Sequence, residues 1–312
     1  MAYQGKTFSK QVKQVPKPKP KRKLRVGRLL LISLLFLVVM SLVGLAGYGF
    51  FLERKVIDRV DSQAPLADDK PIHVLLIGID RDPNSPEELR RLGMNTDTLI
   101  LARIDTTKKK ASLLSIPRDT RVQLPTGMEK INAAYAIGGM DRLKQTVQEL
   151  TGLPIDRYLM LDFQGFAKGI DAIGGVEFEV DKELFDPEGT VKLSPGKKQL
   201  NGKEALTVVR FRHEEMGDIA RVQRQQRFVE AYMARMRATN VLDWMSSLRQ
   251  MSDSLRTDMS ISEMGKLATA LQGEEASFTT QTVPGTFLDV YGISYWKYDE
   301  AKLREIVLKM KN

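Results

Sequence analysis

An arginine and a carboxylate stand side by side in the stretch Ser115-Ile116-Pro117-Arg118-Asp119-Thr120. The apolar run 111–116 predicts a buried strand, which ends at Pro117 because proline has no N–H to give to a neighbouring strand. Ligands of open α/β sheets bind at strand ends. An arginine in such a place can hold a phosphate or a carboxylate through two parallel hydrogen bonds. An ordinary Arg–Asp pair in a surface turn is the alternative, and these six residues alone favour it.

Two further carboxylates stand at the ends of predicted strands near this arginine. Asp80 ends an apolar run that predicts a strand buried on both faces, and Asp97 directly precedes the next predicted strand. If residues 98–116 form an antiparallel hairpin, the start of one strand and the end of the next share an edge of the sheet. Asp80, Asp97 and Arg118 would then converge at that edge. The alternative for Asp80 is a turn cap.

Cations stand at the ends of several predicted elements, at Arg118, Lys130, Arg210, Arg212 and Arg221. With the two carboxylates, this set suits a phosphate group bound together with a divalent metal. Mg²⁺ takes oxygen ligands, usually one or two protein carboxylates with substrate phosphates and waters. The arginines would stabilise the charge that develops on phosphoryl transfer. A solvated basic pair at 210 and 212, and a Lys130 that reaches into solvent, are the alternatives.

The predicted helix 218–237 carries polar residues on one face near its start. Asp218, Arg221 and Gln225 are three and seven residues apart, so they share that face. The N-terminus is the positive pole of a helix and favours an anion. The alternative is a surface pair of Asp218 and Arg221, worth a few tenths of a kcal/mol.

The sequence argues against several other chemistries. It contains no P-loop, no G-x-G-x-x-G and no G-x-S-x-G, so nucleotide binding and serine hydrolysis lack a motif. The absence of Cys excludes disulfides, thiol nucleophiles and thiolate metal sites. His73 and His213 are the two histidines in the sequence, which argues against a His-rich zinc site.

The basic character of the chain belongs to its first residues. The formal net charge is +9, but residues 1–28 hold ten Lys/Arg and no Asp/Glu, which leaves −1 for the rest. No nucleic-acid partner is therefore expected, since a body that binds nucleic acid should be basic on one face. Alternating Pro and Lys at 16–21 cannot form a core, so residues 1–28 are predicted to be a disordered cytoplasmic tail.

The 24 residues from 29 to 52 contain no charged side chain. Roughly 20 residues of helix span a bilayer, so this stretch predicts a transmembrane helix. It is too long for the apolar part of a cleavable signal peptide. Because the positive charges precede it, the tail should stay in the cytoplasm and the C-terminal body should lie outside the cell membrane. Residues 53–65 are predicted to be a linker.

Predicted strands and helices alternate through the rest of the chain, so residues 66–312 are predicted to form one α/β domain. Strands are predicted at 73–80, 99–104, 111–116, 157–162, 176–180, 276–283 and 288–291. Helices are predicted at 141–151, 163–173, 202–209, 218–237, 241–272 and 299–310. A Gly138-Gly139 break is predicted before the first helix, and an irregular excursion at 181–199.

The chain resembles the LytR-CpsA-Psr family of cell-wall glycopolymer ligases. The resemblance rests on six motifs in the family's order, covering about residues 72–237: LLIGID (75–80), NTDT (95–98), SIPRDT (115–120), KINAAY (130–135), VRFRH (209–213) and DIARVQRQ (218–225). A short cytoplasmic tail followed by one membrane span is also the family's layout. The resemblance implies an extracytoplasmic α/β domain with a central mixed sheet flanked by helices.

The resemblance also implies an activity. Family members transfer a polymer from a polyprenyl pyrophosphate lipid to a muramic-acid hydroxyl of peptidoglycan, leaving a phosphodiester. Mg²⁺ bridges the pyrophosphate, and the prenyl chain lies in an apolar tunnel. Carried over by motif, Asp80 and Asp97 would bind the metal. The catalytic residues would be Asp97, Arg118, Arg210 and Arg212. Pyrophosphate would be bound by Arg118, Lys130, Arg210, Arg212, Asp218, Arg221 and Gln225.

One departure from the family pattern is Asn95-Thr96, where the family often has Arg-Ser. It removes one cation and leaves the acceptor side open. Two functions of other classes remain as alternatives. One is a membrane-anchored transcriptional attenuator, against which the nearly neutral outer body argues. The other is a module that binds polyprenyl-phosphate lipids without catalysis.

Overall fold

The structure, a computed structural model, describes the backbone of residues 66, 70–79, 96–211, 218–239 and 241–311. Within these ranges, the side chains of 218–223, 241, 242, 244 and 245 are not described. The predicted tail, membrane span and linker lie outside the described residues. Among the described helices, none combines the length and the apolar character that a bilayer crossing needs.

The described residues form fourteen strands and seven helices. The strands are Ile72–Ile79 (β1), Thr96–Asp105 (β2), Lys110–Ile116 (β3), Arg121–Leu124 (β4), Gly127–Lys130 (β5), Arg157–Asp162 (β6), Val176–Val180 (β7), Leu184–Phe185 (β8), Lys192–Leu193 (β9), Gly196–Leu200 (β10), Leu255–Thr257 (β11), Ser277–Thr282 (β12), Gly285–Val290 (β13) and Ile293–Tyr298 (β14). The helices are Ala133–Thr151 (α1), Phe163–Ala172 (α2), Gly202–Arg210 (α3), Asp218–Ala238 (α4), Val241–Met251 (α5), Ile261–Ala270 (α6) and Glu300–Lys311 (α7).

Six strands form the central sheet, in the order β11-β6-β1-β2-β3-β12. The sheet is mixed. The pairs β1–β6 and β3–β12 are parallel, whereas β1–β2, β2–β3 and β6–β11 are antiparallel. Helices cover both faces, so the predicted α/β fold with a central mixed sheet is confirmed.

One edge of this sheet, here called the upper edge, brings together distant parts of the sequence. Ile79 at the end of β1 pairs with Thr96 at the start of β2 and with Asp162 at the end of β6. Leu99 of β2 pairs with Ile116 at the end of β3. The antiparallel hairpin expected around 98–116 is therefore present, and it places the residues after β3 beside the start of β2.

The two faces of the sheet bury different clusters, because successive side chains of a strand point to opposite sides. On face one, Leu75 and Ile77 of β1 pack in the core with α1 and α7. On face two, Val74 and Leu76 pack with residues of α4, α5 and α6. Both faces are covered, which explains why β1 reads as a continuous apolar run rather than an alternating one.

A third cluster lies under the small β7–β10 sheet and joins α2, α3 and α4. The ring of Phe228 on α4 lies 5.7 Å from Phe166 and 5.9 Å from Phe178, measured between ring centres. Val176 and Val208 are fully buried in the same cluster. This packing fixes α4 against α3.

The structure corrects the single helix predicted at 241–272. The chain instead forms α5, then β11, then α6. β11 pairs with the outer side of β6, and Thr257 Oγ1 donates a hydrogen bond to the carbonyl of Tyr158. Asp258, which follows, accepts the backbone N–H of Tyr158 at 2.7 Å and the ammonium of Lys144 at 2.8 Å. These tertiary bonds, which no local pattern encodes, decide the conformation.

Smaller differences lie elsewhere in the domain, among them the β13–β14 hairpin in place of the single strand predicted at 288–291. The excursion predicted at 181–199 contains β8, β9 and most of β10, which pairs with β7. The predicted Gly138-Gly139 break is a kink inside α1, where Gly139 has φ +64°. Glycine adopts this value without the steric cost that other residues meet, so the helix continues on either side.

The start of α3 provides a stability prediction. Asn201 accepts the N–H of Glu204 at 3.0 Å, and the Glu204 carboxylate accepts the N–H of Asn201 at 2.9 Å, a capping box. Asn201→Ala should lower the free energy of unfolding by about 1 kcal/mol. Urea unfolding of the detergent-solubilised chain measures it. Asn132→Ala is the matched control, because Asn132 precedes α1 without a side-chain cap bond. Equal losses in the two variants would contradict a role for the cap.

Candidate active site

A β-bulge places Asp97 at the upper edge. Gly78 pairs with Thr98 and the next residue, Ile79, pairs with Thr96, so Asp97 is one residue too many for the ladder. Such a bulge re-aims a side chain and is common beside active sites. Asp97 Oδ1 accepts a hydrogen bond of 2.7 Å from Nη1 of Arg118. The site thus contains an ion pair between a strand start and a strand end.

This ion pair is partly accessible. The Arg118 side chain keeps 23% of its surface exposed and that of Asp97 22%. Both groups can therefore still reach a ligand. A guanidinium has five N–H donors in a planar fork that fits the oxygens of a phosphate.

Asp119 is a second carboxylate close to Arg118. Its carboxylate lies 2.9 Å from the ammonium of Lys130 and 3.8 Å from Nε of Arg118. Asp119 is thus positioned between two of the predicted cations. Asp119 was not predicted to have a role in the site, although its place directly after Arg118 was a usable signal.

Backbone hydrogen bonds hold the segment that carries Arg118 and Asp119. The carbonyl of Arg118 accepts from Asn132 N–H at 3.2 Å, and that of Asp119 accepts from Trp296 N–H at 2.8 Å. Thr120 is fully buried and donates its hydroxyl to the carbonyl of Pro117. The segment is therefore fixed by the start of α1 and by the β13–β14 hairpin.

The end of α3 and the first half of α4 supply further polar groups. The Arg210 guanidinium lies 4.7 Å above the ring of Phe163, which follows β6 at the upper edge. Gln225 donates to the carbonyl of Val209 at 3.0 Å. Arg224 is 1% exposed and donates to the carbonyls of Val208 and Phe211, so it ties α4 to the end of α3.

The structure brings together some of the predicted site residues. Asp97, Arg118 and Lys130 form one group with Asp119, and Arg210 and Gln225 lie by the start of α2 and the end of α3. Asp80 and Arg212 lie outside the described residues. Asp218 and Arg221 are described by their backbone alone, in the first turn of α4. Their predicted roles stay predictions.

An apolar cavity of about 390 Å³ lies against face two and reaches this site. Its walls come from the sheet, from α2, α3 and α4, and from Met251 of α5, and they include Leu113, Leu161, Phe166, Leu206, Phe228 and Val229. Asp97 and Gln225 belong to the same lining, so the cavity has a polar end at the upper edge.

Tyr232 lines this cavity beyond Gln225, and its hydroxyl is neutral. Burial raises the pKa of Tyr232 to about 12, because the charged phenolate would lose its hydration. Tyr232 lies two turns of α4 beyond Gln225, and Met233 follows it in the lining. The cavity therefore offers an uncharged compartment beside a charged one. Sequence reasoning did not name its lining residues, which come from positions 76 to 251 of the chain.

The donor set at the upper edge fits a hard divalent cation in part. Among the described residues there is no cluster of three or more acidic or histidine side chains. Mg²⁺ needs one or two protein carboxylates when substrate phosphates and waters complete its shell. Asp97 offers one described carboxylate here, and the predicted second ligand, Asp80, lies outside the described residues. A single carboxylate suits a metal that arrives with a phosphate ligand.

Comparisons with known proteins give relatives along most of the chain. TagU of Enterococcus faecalis, named a polyisoprenyl-teichoic acid–peptidoglycan teichoic acid transferase, is 28% identical over 91% of this chain and 95% of that protein. TagV of Bacillus subtilis, which is also named a polyisoprenyl-teichoic acid–peptidoglycan teichoic acid transferase, is 32% identical over 84% of this chain and 70% of that protein. A solved structure described as TagT bound to LI-WTA has a TM-score of 0.65 at 26% identity, over 81% of this chain and 94% of that one.

The family model matches the same region. Residues 52–312 fit the description LytR_cpsA_psr family, which confirms the resemblance seen in the six motifs. The fold, the motif order and the relatives agree over the domain that carries the ion pair and the cavity. This chain is therefore a member of the LytR_cpsA_psr family.

Proposed function

We propose that this chain is a membrane-anchored phosphotransferase that moves a glycopolymer from a polyprenyl pyrophosphate carrier to a muramic-acid hydroxyl of peptidoglycan. The observation that carries the proposal is the Arg118–Asp97 ion pair at the polar end of an apolar cavity. A lipid pyrophosphate needs both a cation for its oxygens and an apolar space for its chain. The relatives TagU and TagV support the proposal, since both are named polyisoprenyl-teichoic acid–peptidoglycan teichoic acid transferases.

The two ends of the lipid donor would lie in different parts of the site. The prenyl chain would enter the cavity between face two and α4, where burial of its hydrocarbon is favourable. The pyrophosphate would remain at the upper edge, where Arg118 and Arg210 donate to its oxygens, with Lys130 and Gln225 nearby. Arg212, Arg221 and Asp218 would complete this clamp, with Asp218 orienting the cations. Held in this way, the phosphorus nearer the sugar faces the acceptor.

The proposed reaction is an in-line displacement at that phosphorus. The acceptor hydroxyl forms a new P–O bond, and its proton passes to solvent. The bond to the bridging oxygen of the pyrophosphate breaks, and the lipid leaves as a monophosphate. Arg118 would stabilise the charge that develops on the oxygens, which is the main task for protein groups in phosphoryl transfer.

We propose Asp97 and Asp80 as the residues that would hold Mg²⁺ with the pyrophosphate. When bound, the metal would neutralise charge on the phosphate oxygens. Since Asp97 also accepts from Arg118, it can orient that guanidinium whether or not the metal is present.

The location is part of the proposal. Residues 29–52 would anchor the chain in the cell membrane in a single pass, with the basic residues 1–28 in the cytoplasm. The catalytic domain would then face the lipid carrier and the wall from outside, and the tail would contact anionic lipid.

The experiment uses the purified full-length chain in detergent or nanodiscs. It is incubated with a polyprenyl-pyrophosphate-linked glycopolymer and soluble peptidoglycan oligomers, with Mg²⁺ or with EDTA. The proposal expects polymer–peptidoglycan product with Mg²⁺ and a large loss with EDTA that added Mg²⁺ restores. Tight binding of the lipid without transfer, over several polymers and acceptors, would instead support a binding module.

A further inference from the structure

The two faces of the sheet assign separate sides to donor and acceptor, an inference that rests on the proposed function. The cavity lies on face two, lined by Leu113 and Leu161, so a lipid leaving group would depart on that side. In an in-line displacement the attacking oxygen approaches opposite the leaving oxygen. The acceptor must therefore approach from the side of face one. That side carries the β4–β5 hairpin, whose Val122 and Leu124 lie in the face-one core, and the β13–β14 hairpin packed beside it.

A pair of cations marks this side. Arg121 at the start of β4 and Lys130 at the end of β5 are directly opposite each other in the ladder. The guanidinium carbon of Arg121 lies 5.6 Å from the ring centre of Tyr295 on β14, and the Lys130 ammonium lies 5.8 Å from it. The aromatic face attracts both cations, and the two hairpins are joined through this contact.

In the described part of the chain, a carboxylate pairs with one of these two cations and not with the other. Asp119 binds Lys130 at 2.9 Å, whereas no described carboxylate pairs with Arg121. Nε of Arg121 is buried without a hydrogen-bond partner there. Like charges directly opposite each other destabilise a hairpin. An anionic ligand at the outer nitrogens of the Arg121 guanidinium would offset that repulsion.

We propose that Arg121, supported by Tyr295, binds a stem-peptide carboxylate of the peptidoglycan acceptor. Peptidoglycan carries free carboxylates on its peptide stems, so the acceptor is an anionic polymer with sugar rings. The neighbouring β13–β14 hairpin presents exposed apolar groups, with Phe287 44% exposed and Tyr291 fully exposed at the tip. Such aromatic groups suit a partner that is apolar on one side and wet on the other. Arg121 is thus an acceptor-specificity residue, separate from the pyrophosphate clamp.

The test compares Arg121→Gln with the wild-type full-length chain. Loss of a charge-assisted hydrogen bond should raise the KM for soluble peptidoglycan oligomers about tenfold or more. The KM for the lipid donor, and kcat at saturating acceptor, should stay within about twofold of the wild type. Arg121→Lys should recover part of the acceptor affinity. Arg142→Gln is the matched control, because Arg142 is a half-exposed arginine of α1 that bonds to Gln145.

A chemical control identifies the partner group. The wild type should have a higher KM for oligomers with amidated stem carboxylates than for unmodified oligomers. This rise should match the rise that Arg121→Gln causes with unmodified oligomers. The variant should show no further rise on amidation. An equal rise in both proteins, or an unchanged acceptor KM in the variant, would overturn the proposal.

A binding titration separates this inference from the proposed function. If no transfer occurs with any donor, the proposed function fails. Titration of the same oligomers onto the full chain still measures whether Arg121→Gln weakens binding about tenfold and amidation removes that difference. Equal affinities of wild type and variant would reject the acceptor site independently of turnover.

Discussion

Replacing Arg118 by alanine is expected to lower kcat for polymer transfer by at least about 10³-fold. Arginines that stabilise the charge of a transferring phosphoryl group contribute 10³–10⁵ in kcat. Arg118 is the described cation that bonds directly to Asp97 at the polar end of the cavity. Its loss would remove donors to the phosphate oxygens and leave Asp97 unpaired. A reconstituted transfer assay with the full-length chain measures this effect.

The fold should survive that substitution. The Arg118–Asp97 pair keeps contact with solvent at the upper edge, so Asp97 is left hydrated when Arg118 is removed. The unfolding midpoint and the affinity for an uncharged prenyl alcohol should therefore change little. Arg142→Ala on the surface of α1 is the matched control and should retain full activity. Transfer by Arg118→Ala within tenfold of the wild type would remove Arg118 from the proposed mechanism.

Filling the cavity is expected to weaken binding of the lipid donor roughly 10- to 60-fold. Leu206 on α3 lines the cavity, and an indole in its place would occupy volume that the prenyl chain needs. Each buried CH₂ contributes about 0.8 kcal/mol, so displacing two or three accounts for this range. Titration of Leu206→Trp with a long-chain polyprenyl pyrophosphate measures the change.

The design includes two comparisons. Leu308→Trp on α7 is the matched control, because Leu308 is 60% exposed on the opposite side of the sheet. A donor with a short prenyl chain should lose less affinity than the long one, since less of it competes with the indole. Unchanged long-chain affinity in Leu206→Trp would show that the lipid does not occupy this cavity.

Strong local patterns sufficed for much of the fold. The strand at 157–162 and the strand at 176–180 have the predicted bounds, because clear apolar patterns and flanking glycines or polar residues delimit them. Asn201 caps α3, which fits the preference for Asn directly before a helix. The convergence of Asp97 with Arg118 followed from simple strand directions, although the bulge that turns Asp97 toward Arg118 has no sequence signature.

Short elements depended on partners far along the chain. β11 has three residues and exists because Thr257 and Asp258 bond to the backbone of Tyr158, about a hundred residues earlier. The β4–β5 hairpin was likewise not foreseen, since four-residue strands give too few positions for a periodic pattern. The cation pair of Arg121 and Lys130 became visible once this register was known.

The candidate site also has parts that the sequence predicts and parts that it does not. Its charged residues could be named from the sequence because their types suit phosphate chemistry and the six motifs carry them. The cavity could be expected from the family resemblance, but its walls combine side chains of four strands and four helices. Such a lining arises from packing between elements, which no short window of sequence records.

The most direct measurement follows one phosphorus atom. A donor labelled with ³²P at the phosphate nearer the sugar is incubated with the full-length chain and peptidoglycan oligomers. In-line transfer at that phosphorus predicts that the label moves with the polymer to peptidoglycan in a phosphodiester, while unlabelled lipid monophosphate is released. Label that stays on the lipid, or appears as free phosphate while unphosphorylated polymer is transferred, would contradict the proposed reaction.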